Sequence, residues 1–482
     1  MYRRYILLYD TVFRPSIDSQ LFPPLAILHG IEGIRYDMNV NATRRLLALQ
    51  RTLIPSEFAQ LANVADSSQP GTENLLVLPD GGQLGTRQIT EGVSDNRAST
   101  SVVIDGTDVS VIRQLDQDAV SLLNSAIGTP FEDSAAHVPK YPVFALEPPA
   151  PKSAIPVSDI WATVSALFTV YHEQETIPLV LSPSLGNADD IANYILRSGL
   201  GVKPLRRNQK SSFEKKKDDV IFLSRTTFWQ GAGTIGYHSR GWLQHNPAAA
   251  LQFPYIPSFT RSQSVITSHP LRPPKPSPGE LLYRRYCPSV KKFLEFRYFC
   301  LDDSSSACGP LNHLESFHRW HNNPRVTAGW GEEGSLEHHR KYITDALENP
   351  NVMPVMMTWD GEPMGYLEYF WVKENHLSQY MGGGDVGAAA HDWDRGIHVL
   401  AGEDKFKGVA YSMAWLRSAI HYAFLADSRT VRVMGEPRYD NEAIMRACIN
   451  AGLHVGKIFD FPHKRSALTI TSRDRFFQLD LL

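Results

Sequence analysis

The residues whose types and spacing best suit chemistry lie between Arg395 and Leu425 of the 482-residue chain. Arg395 to Leu400 reads as a strand, Gly402 and Gly408 punctuate a loop, and an amphipathic helix follows through Leu425. The first amides of a helix have no intrahelical acceptor, and the aligned peptide dipoles favour an anion beside them. With Gly408 letting the backbone come close, Gly408, Val409 and Ala410 form a candidate phosphate cradle, with Lys405 and Lys407 adding positive charge. On the preceding strand stands His398, whose ordinary pKa suits proton removal near neutrality and whose ring can equally act by hydrogen bonding. Glu368 lies mid-strand among Leu367, Tyr369, Phe370 and Trp371, where a carboxylate is rare unless it is paired or faces a site.

The elements that must position these groups follow in a recognisable order. An apolar strand, Thr430 to Met434, precedes Gly435-Glu436-Pro437, and Asn441 caps a second helix from Glu442 that ends at Ala451-Gly452-Leu453. Upstream, strands are expected at Phe293–Leu301, Val355–Trp359 and Gly365–Val372. The first half of the chain echoes this order. Ser224–Gln230 mirrors Ser472–Gln478, and ahead of each come a tryptophan-bearing helix (Trp161, Trp415), a strand, an Asn-led helix (Asn187, Asn441) and Gly-Leu. An internal duplication is the reading. The earlier copy carries Ala154-Ile155-Pro156-Val157-Ser158-Asp159 before its helix, with no glycine and with a proline that removes a donor, so it is expected to bind no cofactor.

Asp80-Gly81-Gly82 between apolar runs predicts a hairpin, Val109–Arg113 a strand, Ile160–Tyr171 a helix, Leu179–Leu181 a strand, and Thr43–Ala62 a further helix. Pro254 to Gly279 is proline-rich and reads as a stiff connector. The expected division is therefore 1–253, a linker at 254–279, and 280–482 carrying the chemistry.

A net charge of −3 offers no footprint for nucleic acid. Lys215-Lys216-Lys217 is answered by Asp218-Asp219. No apolar stretch is long enough for a membrane span. Four cysteines lack metal-ligand spacing and are expected to be reduced thiols, and His313, His318, His321, His338 and His339 match no ordinary metal shell. No metal is assigned. The Asp480-Leu481-Leu482 end is not a peroxisomal Ser-Lys-Leu address, which favours the cytoplasm, with the peroxisome as the alternative.

Taken as a set, Phe317-His318-Arg319-Trp320, Asn323-Pro324-Arg325-Val326, Gly365-Tyr366-Leu367-Glu368, Gly396-Ile397-His398, Gly435-Glu436-Pro437 and Asp460–Arg465 resemble the fungal siderophore hydroxyornithine acyltransferases and their bacterial aerobactin-type relatives, within the GNAT superfamily. The resemblance implies an α/β fold (α+β in its segregated helices), with two GNAT-like domains in tandem, each a mixed central sheet flanked by helices, the first degenerate. Lys405-x-x-Gly408-x-Ala410 then stands where such enzymes hold the coenzyme A pyrophosphate with a Gln/Arg-x-x-Gly-x-Gly/Ala loop, Lys405 departing from the usual first residue. Val399 and Leu400 would lend backbone amides to the thioester carbonyl, and Asn441 would border the cofactor.

His398, Glu368 and His318 are the implied catalytic set, and Trp320, Arg325, Asp394 and Glu436 the implied acceptor contacts, Arg325 or Arg395 for a carboxylate and Glu368, Asp394 or Glu436 for an amine. Lys464 and Arg465 would reach cofactor phosphates or, as the alternative, cap a turn in solvent. The residue seven beyond Asn441, often a tyrosine that protonates the leaving sulfur, is Cys448 here. The implied reaction is acyl transfer from acyl-coenzyme A, anhydromevalonyl or acetyl, to the hydroxylated side-chain nitrogen of hydroxyornithine. An ornithine hydroxylase stands upstream, a nonribosomal peptide synthetase downstream, and the oligomeric state is open. Hydroxylysine or another amine as acceptor, and a noncatalytic acyl-coenzyme A-binding protein, are the alternatives.

Overall fold

The computed structural model describes residues 71–89, 99–115, 141–203, 220–245, 255–301, 312–382, 389–479 and 481–482. The expected helix at Thr43–Ala62 and the basic run at Lys215–Lys217 lie outside them. The described residues before 246 supply β1 (Thr72–Val77), β2 (Gln83–Ile89), β3 (Ser99–Ile104), β4 (Thr107–Gln114), β5 (Phe144–Glu147), α1 (Val157–Val170), β6 (Thr176–Leu181), α2 (Ala188–Arg197), β7 (Gly201–Val202), β8 (Ile221–Ser224) and α3 (Arg225–Trp229). Within 255–279 there is no helix; the proline-rich stretch instead holds a hairpin, β9 (Pro257–Arg261) with β10 (Ile266–Pro270). Arg272 beyond it is buried and forks onto Glu374 at 2.7 and 2.9 Å.

The remainder supplies β11 (Leu281–Cys287), β12 (Lys292–Tyr298), α4 (His313–His321), α5 (Pro324–Trp330), α6 (Leu336–Glu348), β13 (Val352–Trp359), β14 (Glu362–Trp371), β15 (Arg395–Ala401), α7 (Val409–Ala426), β16 (Arg432–Gly435), α8 (Glu442–Asn450), β17 (His454–Asp460), β18 (Arg465–Ser472) and α9 (Arg473–Gln478). The two eight-stranded sheets have the same plan. Their orders are β1-β2-β3-β4-β5-β6-β8-β7 and β11-β12-β13-β14-β15-β16-β18-β17, and in each the fifth and sixth strands pair in parallel while the rest pair antiparallel. The duplicated motifs of the sequence thus mark duplicated topology. One difference matters for the site: β12 and β13 are separated by α4, α5 and α6, whereas only residues 90–98 join β2 to β3.

Each copy's central helix is buried on all sides over most of its length, Ile160–Thr169 in α1 and Ala414–Leu425 in α7. A helix with no polar face needs cover all round. Residues of both halves meet in one hydrophobic cluster reaching from Leu78 to Leu482. At its centre Trp229 and Trp242 stack with ring centroids 5.0 Å apart. Beside them fully buried His421 of α7 donates from Nε2 to Trp229 O (2.7 Å) and accepts the Tyr283 hydroxyl at Nδ1 (2.9 Å). Burial lowers its pKa to about 3, so the ring is neutral. The expectation of four reduced thiols is corrected: Cys300 is disulfide-bonded, while Cys287 and Cys448 stand outside any disulfide. Spacing along a chain does not disclose which Cα atoms the fold brings within bridging reach. Among the described residues no helix is long and apolar enough to cross a membrane.

Candidate active site

The site begins where two strands part. β15 pairs with β14 along its length, from Arg395 opposite Trp371 to Ala401 opposite Gly365, but with β16 only at Arg395–Val433 and Gly396–Met434. Beyond Gly396 the strand has one neighbour. Gly402 N–H donates to Met364 O (2.8 Å). From that phase, the alternation of an antiparallel ladder ties Leu400 and His398 to β14 and turns the amides of Ile397 and Val399 into the gap. Of the two amides named from sequence, Val399 therefore faces the opening and Leu400 belongs to the sheet.

Into this gap points the start of α7. Gly408 caps the helix at φ +115° without any side-chain cap, and the first intrahelical bond is Ser412 N–H to Gly408 O (3.0 Å). The amides of Val409, Ala410 and Tyr411 precede it, as a phosphate cradle requires. No atom lies within 4 Å of where a Cβ on Gly408 would be, so the backbone angle rather than crowding calls for glycine. A cavity of about 630 Å³ opens here, lined among others by Val399, Leu400, Lys407, Gly408, Val409 and Asn441. At the same place in the earlier copy, Asn187 bonds both Ile155 O (2.9 Å) and Ile155 N–H (3.3 Å), stitching the loop before α1 to the next helix, and Pro156 caps α1.

On the far side of Val399 lies a second cavity, about 380 Å³, lined by His398, Glu436, Trp330, Glu332, Tyr342 and Lys464 among others. The two cavities share Gly329, Trp330, Val399, Asn441 and Ile444. His398 stands between two carboxylates: Nδ1 is 3.0 Å from Glu368 Oε2 and Nε2 is 2.7 Å from Glu436 Oε1. Burial opposes its charge, but Glu436 and Glu368 overcome that and raise its pKa to about 10. The ring is an imidazolium with both N–H groups donating. Burial likewise acts to raise both acids, yet His398 holds Glu368 below its usual range and Glu436 down at about 2.

The two acids differ in what remains free. Glu368 Oε1 accepts from the hydroxyls of Tyr342 (2.7 Å) and Tyr366 (2.8 Å), which completes its shell. Glu436 Oε2 is buried and has no partner, although the acid borders the cavity. A buried carboxylate oxygen left unpaired is costly, and a ligand donor is the natural remedy. Gly396 completes the setting of the histidine: the Phe370 ring occupies the space where a Cβ would be and lies 4.5 Å from the ring of His398.

The other residues named from sequence divide sharply by position. Glu436 and His398 meet at the acceptor-side cavity, and Asn441 borders both cavities, its side chain accepting from Ile444 N–H (3.3 Å) as the α8 cap. Glu368 lies behind His398. Lys407 lines the cofactor-side cavity, but Lys405 turns away to Glu362. Arg325 also lines the cofactor side, with its guanidinium on the carbonyls of Ala401 (2.9 Å) and Gly402 (3.0 Å).

Asp394, Trp320, His318 and Arg395, like Glu368 and Lys405, line neither cavity. Asp394 is buried against Arg432. Trp320 packs on Gly402 and donates Nε1–H to Glu403 (2.8 Å). His318 meets His339, Nδ1 to Nδ1, at 2.8 Å. Arg395 stacks over Trp371 at 4.0 Å. Lys464 lies on the acceptor side rather than among cofactor contacts, and Arg465 forks onto Asp460 in solvent. Cys448 does border the acceptor-side cavity, and burial raises its thiol to about 11. Sequence reading missed Trp330, Tyr342 and Tyr366. Only Tyr366 left a trace, two residues from Glu368 on the same strand face.

Residues 309–461 match the acetyltransferase (GNAT) domain family. The chain is 37% identical over 347 residues to an acyltransferase of Omphalotus olearius, covering 70% of this chain and 82% of that one. It is 34% identical over 340 residues to a hydroxyornithine transacylase of Ajellomyces capsulatus, covering 68% and 73%. It is also 34% identical over 350 residues to an N(5)-hydroxyornithine:cis-anhydromevalonyl coenzyme A-N(5)-transacylase of Beauveria bassiana, covering 67% and 73%. With the parted strands, the open helix start and two duplicated sheets, these likenesses show that the chain belongs to the GNAT acyltransferases, in the branch that holds the fungal hydroxyornithine transacylases.

Proposed function

We propose that the chain transfers an acyl group from coenzyme A to the hydroxylated side-chain nitrogen of hydroxyornithine, releasing free coenzyme A and a hydroxamate. The observation that carries this reading is the imidazolium of His398 clamped by two carboxylates, one with a free oxygen, where the two cavities meet. The amides opening α7 would hold the pyrophosphate, and the Val399 amide would polarise the thioester carbonyl. The acceptor nitrogen would enter from the other side beside Glu436.

The charge state of the clamp favours a hydroxylamine. A carboxylate held near pKa 2 cannot deprotonate an alkylammonium ion, so an unhydroxylated ornithine amine would stay protonated and unreactive. A hydroxylamine nitrogen is already neutral at physiological pH and attacks as it is. Once its nitrogen bonds to the carbonyl carbon it becomes cationic and strongly acidic, and even a weak base then takes its proton. Glu436 Oε2 is that acceptor; the C–S bond breaks as the tetrahedral carbon collapses. His398 has no free ring nitrogen for base catalysis, and its role is to hold Glu436 in place and in charge.

On this reading 280–482 carries the reaction, 254–279 joins it to 1–253, and the first copy serves as cover for the second. An ornithine hydroxylase would supply the acceptor and a nonribosomal peptide synthetase would consume the product. The test is mass spectrometry and thiol release with hydroxyornithine, ornithine and hydroxylysine, each offered acetyl-coenzyme A and anhydromevalonyl-coenzyme A. Hydroxamate from hydroxyornithine, with none from ornithine, is the expected result; coenzyme A binding without product from any pair would refute it.

A further inference from the structure

A basic side chain of the acceptor-side cavity keeps donors to spare beside Glu436. Besides His398, already clamped by two carboxylates, four basic side chains border that cavity: His376, Arg438, His463 and Lys464. Arg438 is committed, forking onto Asp440 at 3.0 and 2.7 Å. Burial lowers the pKa of His376, which leaves it neutral. Exposed His463 stacks on Phe461 with ring centroids 5.6 Å apart. Half-buried Lys464 differs from all three, because its ammonium donates to the backbone carbonyl of Glu436 (3.0 Å) and makes no ion pair among the described residues. An ammonium has three donors, so two remain for a ligand. A partly buried cation held by a neutral carbonyl and over the Phe461 ring (5.3 Å to its centroid), with two donors spare, is set up to take an anion.

Resting on the acceptor assignment above, we infer that Lys464 is the anchor for the α-carboxylate of the amino-acid acceptor. The ammonium is bonded to the main-chain carbonyl of the same residue whose carboxylate takes the proton, and both residues line the acceptor-side cavity. Arg325, the other sequence candidate for this duty, is on the cofactor side with its guanidinium on two carbonyls. Lys464 is therefore a specificity residue that separates an amino acid from a plain diamine.

The experiment compares hydroxyornithine with N-hydroxy-1,4-diaminobutane, the same chain without the carboxylate, in the full-length wild type, Lys464→Gln and Lys464→Arg. Loss of a charge-assisted contact predicts that the preference in kcat/KM for hydroxyornithine over the diamine falls about 10- to 100-fold in Lys464→Gln, through KM. Lys464→Arg should recover part of it. Affinity for coenzyme A, measured by calorimetry, should change less than about 2-fold, which also shows that the variant is folded. An equal loss on both acceptors, an unchanged preference, or a weakened coenzyme A affinity with the preference intact would each overturn the assignment. A wild type that binds coenzyme A but acylates neither acceptor would instead overturn the hydroxyornithine reading itself, a result visible before any variant is made.

Discussion

Glu436→Gln tests the clamp most directly, because it removes one of the two charges on His398 while keeping the size of the side chain. Raising the histidine from 6.5 to about 10 corresponds to a preference for the charged ring on the order of 5 kcal/mol. With Glu368 left alone, roughly half of that should go, and the ring should titrate about two pH units lower than in the wild type. Side-chain NMR of His398 reads this out. In the wild type its signals should hold still from about pH 5 to pH 9; in Glu436→Gln they should move between about pH 7 and 9. The stability link has a definite sign. A histidine with a raised pKa contributes fully below 6.5 and loses that contribution as the pH climbs through about 10, whereas Glu436, lowered from 4.5 to about 2, loses its contribution only as the pH falls through about 2. The clamp should therefore stay intact across the neutral range, with turnover in Glu436→Gln down about 10²- to 10⁴-fold for want of a proton acceptor. A wild-type His398 that titrates near 6.5, or one whose titration ignores the loss of Glu436, would refute this account.

Gly408→Val should weaken coenzyme A binding by at least about 10-fold, since a β-branched residue at φ +115° costs on the order of 1–3 kcal/mol and displaces the first amides of α7; calorimetry with coenzyme A measures it, and unchanged affinity would remove the cradle from the site. Cys448→Ala should leave kcat within about 3-fold, because a thiol pushed up to about 11 is a poor proton source for a leaving thiolate; a loss of 10² or more in single-turnover thiol release would assign Cys448 that role. Trp242→Ala, far from both cavities' chemistry, should cost about 3–5 kcal/mol in denaturant unfolding.

Much of this fold was legible because it rests on local signals. The Asp80-Gly81 turn, the glycine opening α7, the Asn441 cap and the matched Ser224–Gln230 and Ser472–Gln478 segments each fix backbone within a few residues, and each lies where expected. The site was legible only as a neighbourhood. Glu368 and His398 are partners because β14 and β15 pair in the register that sets them opposite one another, and no feature of either strand announces that register. The same limit misplaced Trp320, His318 and Asp394. Their residue types suit recognition, but whether such a side chain meets substrate or packs on Gly402, His339 or Arg432 is decided by the turn of a helix or the face of a strand. Trp330 carried no polar signature and borders both cavities.

The duplication gives the first copy a physical task that its closed loop would otherwise leave unexplained. The helix that presents the cradle, α7, is sealed from Ala414 to Leu425, and a helix of that kind has no stable position in a single sheet-and-helix layer open to water. Two sets of contacts hold it. Arg417, fully buried, bonds Asn450 O at 3.0 Å and Leu481 O at 2.9 Å, tying α7 to the end of α8 within its own half. His421, one turn on, reaches across to Trp229 O and into the Trp229–Trp242 stack of the other half. Gly408 stands at the N-terminal end of this same rod, so its place relative to Val399 depends on both anchors. Trp242→Ala should therefore lower coenzyme A affinity as well as stability, although Trp242 touches neither cavity with shared cofactor lining. Lost stability with full affinity in the folded fraction would mean that the catalytic half alone positions its helix, and that the first copy is cover without consequence for the site.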